Sequence, residues 1–210
     1  MTAPTYPLTI PTSPAYSTSR WALQRRTSMS QSPFTGNQQV AEFDFALWTT
    51  ELNLPPMRRA TASAWQAFLL QLHGKRGTFL LGDPDAKNPR GAVNATVTLA
   101  STASIDDYQI DLNSATQTST SDIVKAGEYI QIGGGSAAKL HMICSDASSD
   151  GSGNFSVQIE PAIKASASSG SSVVFTNAQG VFRLSDDLVG WDASEVSNYG
   201  ITLACTEALS

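Results

Sequence analysis

Ser32-Pro33-Phe34-Thr35-Gly36, Phe43-Asp44-Phe45-Ala46-Leu47-Trp48, Leu54-Pro55-Pro56-Met57 and Gly77-Thr78-Phe79-Leu80-Leu81-Gly82-Asp83-Pro84 follow one another between Ser32 and Gly91. A helical pattern separates the last two, so this one segment reads as strand, helix and strand. Phe43, Phe45 and Leu47 alternate with Asp44 and Ala46, the period of a half-buried strand. Leu52 and Leu54 repeat the alternation until Pro55-Pro56, which ends the pairing because proline has no ladder donor. A bend or a pairing break is expected near Thr49-Thr50. Trp21-Ala22-Leu23-Gln24-Arg25 reads as another half-buried strand.

The helix is expected over residues 58–73. Trp65, Phe68, Leu69 and Leu72 fall at i, i+3, i+4 and i+7, forming one apolar stripe, and Gly74 supplies a left-handed stop. Burying such a stripe is worth roughly 1.5 to 3 kcal/mol per large side chain, which places the helix across a sheet. His73 sits in the last turn, where a cation suits the helix dipole, and reads as a cap-side residue and not a ligand.

Outward from this segment, the first 20 residues carry Pro4, Pro7, Pro11 and Pro14 among Thr, Ser and Tyr. They form neither a helix nor a regular ladder, so residues 1–20 are expected to run as an extended arm. After the turn-rich Asp83 to Gly91 the composition changes to Ser, Thr, Ala and Asp. Residues 92–180 then hold about six short β runs, among them Val97-Thr98-Leu99, Tyr129-Ile130-Gln131-Ile132 and Phe155-Ser156-Val157-Gln158-Ile159, which describe a small inserted barrel or sandwich. Beyond Gly180, Phe182 and Leu184 alternate, as do Ile201, Leu203 and Cys205. These strands match the style of residues 21–91 and are expected to rejoin that sheet. The chain therefore reads as mainly β: a β-sandwich with one packed helix, built from residues 21–91 and 181–210, carrying a small β-barrel at 92–180.

Composition bounds the function. The 210 residues are 41% hydrophobic and only 15% charged, and so little charge points to surface covered by neighbours in an assembly. The formal charge of −5 is uneven. Residues 1–91 carry nine basic and five acidic side chains, residues 92–180 three and eight, and residues 181–210 one and five. Complementary faces of a homo-oligomer explain this asymmetry better than nucleic-acid binding, given an acidic whole without aromatic-basic interleaving. No apolar run reaches the roughly 18 residues of a membrane span, and Met1 to Pro7 has neither the basic start nor the apolar core of a secretory signal. Cys144 and Cys205 lie among apolar neighbours without Cys or His at metal-ligand spacing, and read as buried free thiols of a protein folded in cytoplasm.

The candidate chemical motifs each fail on geometry. Gly133-Gly134-Gly135-Ser136-Ala137-Ala138-Lys139 lacks phosphate-loop spacing and precedes a strand, so it reads as a loop between strands. Asp146 to Asn154 imitates a calcium loop, but the twelfth position is Val157 where a bidentate Glu is required; a hairpin turn with Asp150-Gly151 at its tip is expected. His141 and Cys144 are three apart on a strand and point oppositely, which rules out a dyad. Asp106-Asp107 and Asp186-Asp187 are adjacent pairs and read as solvated turns. No catalytic, cofactor or metal residue is assigned, and no enzyme activity is expected.

Besides Ser32 to Gly36, Leu54 to Met57 and Gly77 to Pro84, the stretch Lys125-Ala126-Gly127-Glu128-Tyr129-Ile130-Gln131-Ile132-Gly133 and the ending Thr206-Glu207-Ala208-Leu209 complete an ordered set. Together these motifs resemble the distal tail or minor tail proteins at the tail tip of long, non-contractile-tailed bacteriophages, over most of the chain after Trp21. The resemblance implies a β-sandwich with a packed helix that forms a ring, usually hexameric, joining the tail tube to the hub, baseplate and receptor-binding apparatus. It also implies an oligonucleotide-binding-like (OB-like) barrel for residues 92–180, a virion location after assembly in the host cytoplasm, and DNA that only passes through the lumen. It leaves open the ring itself or a neighbouring trimeric hub, and brings no catalytic residues. The arm of residues 1–20 is expected to add a strand to a neighbouring subunit. A different class, a carbohydrate-binding host-recognition module at residues 92–180, would need exposed aromatics. Tyr108 and Tyr129 are the only Trp or Tyr there, and both alternate with apolar neighbours as core residues do.

Overall fold

In the computed structural model, which describes residues 4–193 and 198–209, two β units share one chain. The first contains β1 (Thr18–Gln31), β2 (Gln38–Asn53), β3 (Met57–Arg58), α1 (Arg59–Gln71) and β4 (Phe79–Leu81). The second contains β5 (Val97–Leu99), β6 (Gln109–Asn113), β7 (Tyr129–Ile132), β8 (Lys139–Ile143), β9 (Asn154–Glu160) and β10 (Ser172–Val174). The chain returns through β11 (Gly180–Leu184), β12 (Asp192–Ala193), β13 (Asn198–Gly200) and β14 (Thr202–Glu207). The architecture is mainly β with one packed helix, as the sequence predicts.

The principal sheet has the order β1-β2-β14-β11-β4, and a small three-stranded sheet has the order β12-β13-β3. Strands from both ends of the sequence therefore alternate in one layer. Its inner face packs against the helix stripe: Trp65, Phe68, Leu69 and Leu72 are buried with Trp48, Leu52, Phe79, Phe182 and Leu203. The helix is two residues shorter than expected at its C-terminal end. It stops at Gln71, and His73 (φ 51) and Gly74 (φ 67) both take the left-handed conformation that turns the chain.

The second unit is a closed barrel in the order β10-β5-β6-β9-β8-β7. Closure leaves no free edge. Ile110, Leu112, Ile130, Ile143, Phe155 and Val157 fill its interior, and the alternating burial of β9 is that of a strand with one face inward.

Three expectations are corrected. β2 runs unbroken through Thr49-Thr50; the irregularity lies further out, where Arg25 pairs with Ala46 but Arg26 pairs with Phe43, leaving Asp44 and Phe45 as extra residues. The arm is extended, but from residue 4 onward it lies against its own chain. Leu8 bridges Phe79 in parallel and donates its N–H to the Thr78 carbonyl at 2.8 Å, the Tyr6 hydroxyl donates to the Gln71 carbonyl at 2.9 Å, and the Trp65 indole N–H donates to the Ser13 carbonyl at 2.9 Å. The segment thus covers the β4 edge that would otherwise be open. Residues 1–3 of the expected arm lie outside the described residues. Finally, only Cys205 is the buried thiol expected; Cys144 follows the last residue of β8 and is exposed.

Candidate assembly surface

β1 and β2 form a hairpin of two distinct halves. In the inner half the pairs Ser19–Leu52, Trp21–Thr50 and Leu23–Trp48 face the core. In the outer half, from Arg26 to Asp44, every residue except the half-buried Ser32 is exposed. The bulge at Asp44-Phe45 marks the change, with the Arg26 guanidinium 4.9 Å from the Phe45 ring centre. From Thr27 to Ala41 the sequence contains no charged residue. Met29 and Val40 pair directly across the strands at 61% and 64% exposure, and Phe34 at the tip is 95% exposed.

The tip is a defined turn. Ser32 donates its N–H to the Asn37 carbonyl at 2.9 Å, Gly36 donates to the Ser32 carbonyl at 3.0 Å, and Gly36 has φ 72, a conformation glycine adopts freely. Ser32 Oγ accepts from the Phe34 and Thr35 N–H groups at 3.4 Å, and the Phe34 ring stands in water. An isolated two-stranded hairpin is marginal in water, and this one presents apolar side chains that its own subunit does not cover.

At the root of the hairpin lies a groove of about 190 Å³ between β2 and the barrel. Phe43, Ile105, Tyr108 and Leu209 border it at 56%, 58%, 47% and 50% exposure. Tyr108 is therefore not the core residue expected, whereas Tyr129 is buried, stacked edge-on against Trp48 with ring centres 5.6 Å apart. Arg25 spans the groove floor, paired with Glu42 at 2.6 Å and with Glu160 of β9, which ties the hairpin to the barrel.

Beneath the groove a buried polar clamp joins sheet to barrel. Glu207 of β14 is 3% exposed; it pairs with Lys164 and accepts the Trp48 N–H at 3.1 Å. The Trp48 indole N–H donates to the Leu140 carbonyl at 2.9 Å, and Lys139 Nζ donates to the Ala208 carbonyl at 3.3 Å. His141, fully enclosed, donates from Nδ1 to the Pro161 carbonyl at 2.7 Å. Burial, helped by the nearby Lys164 and Lys139 charges and opposed by the Pro161 hydrogen bond, lowers its pKa to about 4 and keeps the ring neutral. These groups tie the sheet to the barrel beneath the groove.

The other residues singled out in the sequence are not brought together. His73 is in the left-handed turn after α1, and His141 is inside the clamp. Gly133 to Lys139 joins β7 to β8 through a short 3₁₀ turn. Asp150 organises the β8–β9 hairpin, with Oδ1 accepting the Ser152 and Asn154 N–H groups at 2.8 Å each. Asp106-Asp107 and Asp186-Asp187 lie outside strands, Asp107 accepting the Ser104 N–H at 2.6 Å and Asp187 the Lys75 N–H at 2.9 Å. Among the described residues no group of three or more His, Cys, Asp or Glu is placed to hold a metal ion, and no helix is long and apolar enough to cross a membrane. Sequence reasoning missed the outer hairpin as a surface; the charge-free run from Thr27 to Ala41 was the available signal. No protein-family model matches this chain, and no curated protein matches it.

Proposed function

We propose that this chain is a structural subunit of a phage tail tip, forming a ring that joins the tail tube to the hub and receptor-binding apparatus. The observation that carries the reading is the outer half of the β1–β2 hairpin, an ordered, charge-free ribbon whose Met29, Phe34 and Val40 are exposed. A monomer in water gains nothing from such a ribbon, whereas a subunit of a ring buries it against the next copy. The motifs at 32–36, 54–57, 77–84, 125–133 and 206–209 supply the tail-tip assignment by resemblance. The charge distribution suits it too: an acidic protein lining or flanking a channel binds passing DNA weakly.

The ring is favoured as a hexamer, with the tube protein on one side and the hub on the other. An electron-microscopy reconstruction of the virion tests this. The reading expects the chain as a closed ring beneath the last tube layer; its appearance as a peripheral appendage overturns it. A carbohydrate-binding module has one observation in its favour, the half-exposed Tyr108 on the barrel. Glycan-array binding abolished by Tyr108→Ala is the result that would establish it.

A further inference from the structure

We infer that the hairpin tip of one copy, Ser32 to Gly36 with Phe34 leading, seats in the root groove between hairpin and barrel of a second copy. The inference rests on the ring reading above and specifies its contact. Ten large apolar side chains are exposed among the described residues, and seven of them fall in two patches. Met29, Phe34 and Val40 belong to the outer hairpin; Phe43, Ile105, Tyr108 and Leu209 border the groove.

The two patches cannot meet within one chain. Between Phe43 at the root and the tip lie the six paired positions from Arg26–Phe43 to Gln31–Gln38, followed by the turn, a span of about 20 Å at ~3.4 Å per residue. The strands are paired at every level of that span, so the ribbon cannot fold back to bring its tip to its own root. A second copy supplies the missing partner.

The surfaces match in chemistry. The tip carries no charge. Of the charged residues lining the groove, Arg25 is paired with Glu42 and Glu160 and Lys164 with Glu207, while Asp44 and Asp106 are exposed and keep their contact with water. An uncharged aromatic entering the groove therefore strips water from apolar walls without leaving a buried ion unpaired. Phe34 has the form of an anchor residue: large, aromatic and presented at the tip of a defined turn.

Tip and root are different surfaces of the same chain, so the contact is head-to-tail. Such contacts repeat and either close into a ring or continue as a filament.

Cysteine cross-linking tests the contact directly. In a Cys144→Ser background, which removes the exposed native thiol, Phe34→Cys and Ile105→Cys are made singly and together and treated with a short bismaleimide. The expected result is a ladder of covalent multimers from the double variant, a covalent dimer only when the two single variants are mixed, and no product from either alone. Without cross-linker, Phe34→Asp and Ile105→Asp, both at exposed positions, should each weaken self-association at least tenfold with unchanged melting. Cross-linking of Phe34→Cys to itself, or a full assembly that neither Asp substitution weakens, overturns the tip-to-groove contact and leaves the ring reading intact. A wild-type chain that stays monomeric at all concentrations overturns both.

Discussion

At the residue scale, the junction between sheet and barrel depends on a few buried polar groups. Glu207 neutralises Lys164 in a site where both are largely removed from water. Glu207→Gln leaves that ammonium without its counter-charge, and chemical denaturation should register a loss of about 3 kcal/mol. Adding Lys164→Met to it should recover a good part, because the stranded charge is then gone. His141 sets the acid limit. The folded protein holds it neutral with a pKa of about 4, while the unfolded chain takes up its proton near 6.5. Its stabilisation is therefore complete above pH 6.5 and is lost as pH falls from there towards 4, by about 3 kcal/mol in all. His141→Gln should flatten the stability profile in that window, as read by urea melts at pH 7 and pH 4.5; an unchanged acid slope would refute the assignment. The helix stripe was legible residue by residue, since Trp65, Phe68, Leu69 and Leu72 sit where a 3.6-residue period puts them. Phe43 was not: it alternates like a core residue, but the two-residue bulge beside it lies where the strand leaves the body. Cys144 misled for a related reason, lying one residue beyond the strand whose apolar company it keeps.

At the element scale, the β1–β2 hairpin separates stability from the proposed assembly. Its inner half contributes Trp48 and Leu52 to the core, and its outer half contributes no buried residue. Replacing Met29 to Val40 by Asn-Gly, a turn suited to a two-residue hairpin, should leave the melting temperature within a few degrees and abolish self-association. Strong destabilisation of the monomer would contradict this division. Proline spacing made the extended character of the N-terminal segment readable, but its destination was not, because that depends on the β4 edge some 70 residues away. The barrel strands were readable from their alternation and from the Ser- and Gly-rich connections that separate them. One turn gives a direct check. Gly153 has φ 81, and a Cβ there would lie 2.1 Å from the Ser114 carbonyl oxygen, so Gly153→Ala should cost several kcal/mol in thermal melts.

At the scale of the whole molecule, the proposed role rests on a surface: an exposed ribbon and the groove at its root. The mainly β class, with one helix and a small barrel, was open to reading because hydrophobic periods change cleanly along the chain. The surface that the account rests on was hidden for a physical reason: exposed apolar residues on a projecting ribbon have the same alternation as buried ones, and only the three-dimensional placement of the ribbon tells them apart. The absence of charge from Thr27 to Ala41 is the one sequence trace it leaves. Light scattering of the purified full-length chain across micromolar concentrations tests the central claim most directly. The account predicts a discrete mass that is a small multiple of 22.2 kDa, six copies for the ring and three for a hub, returning to one copy when Met29 to Val40 is replaced. A mass of one chain at every concentration would contradict it.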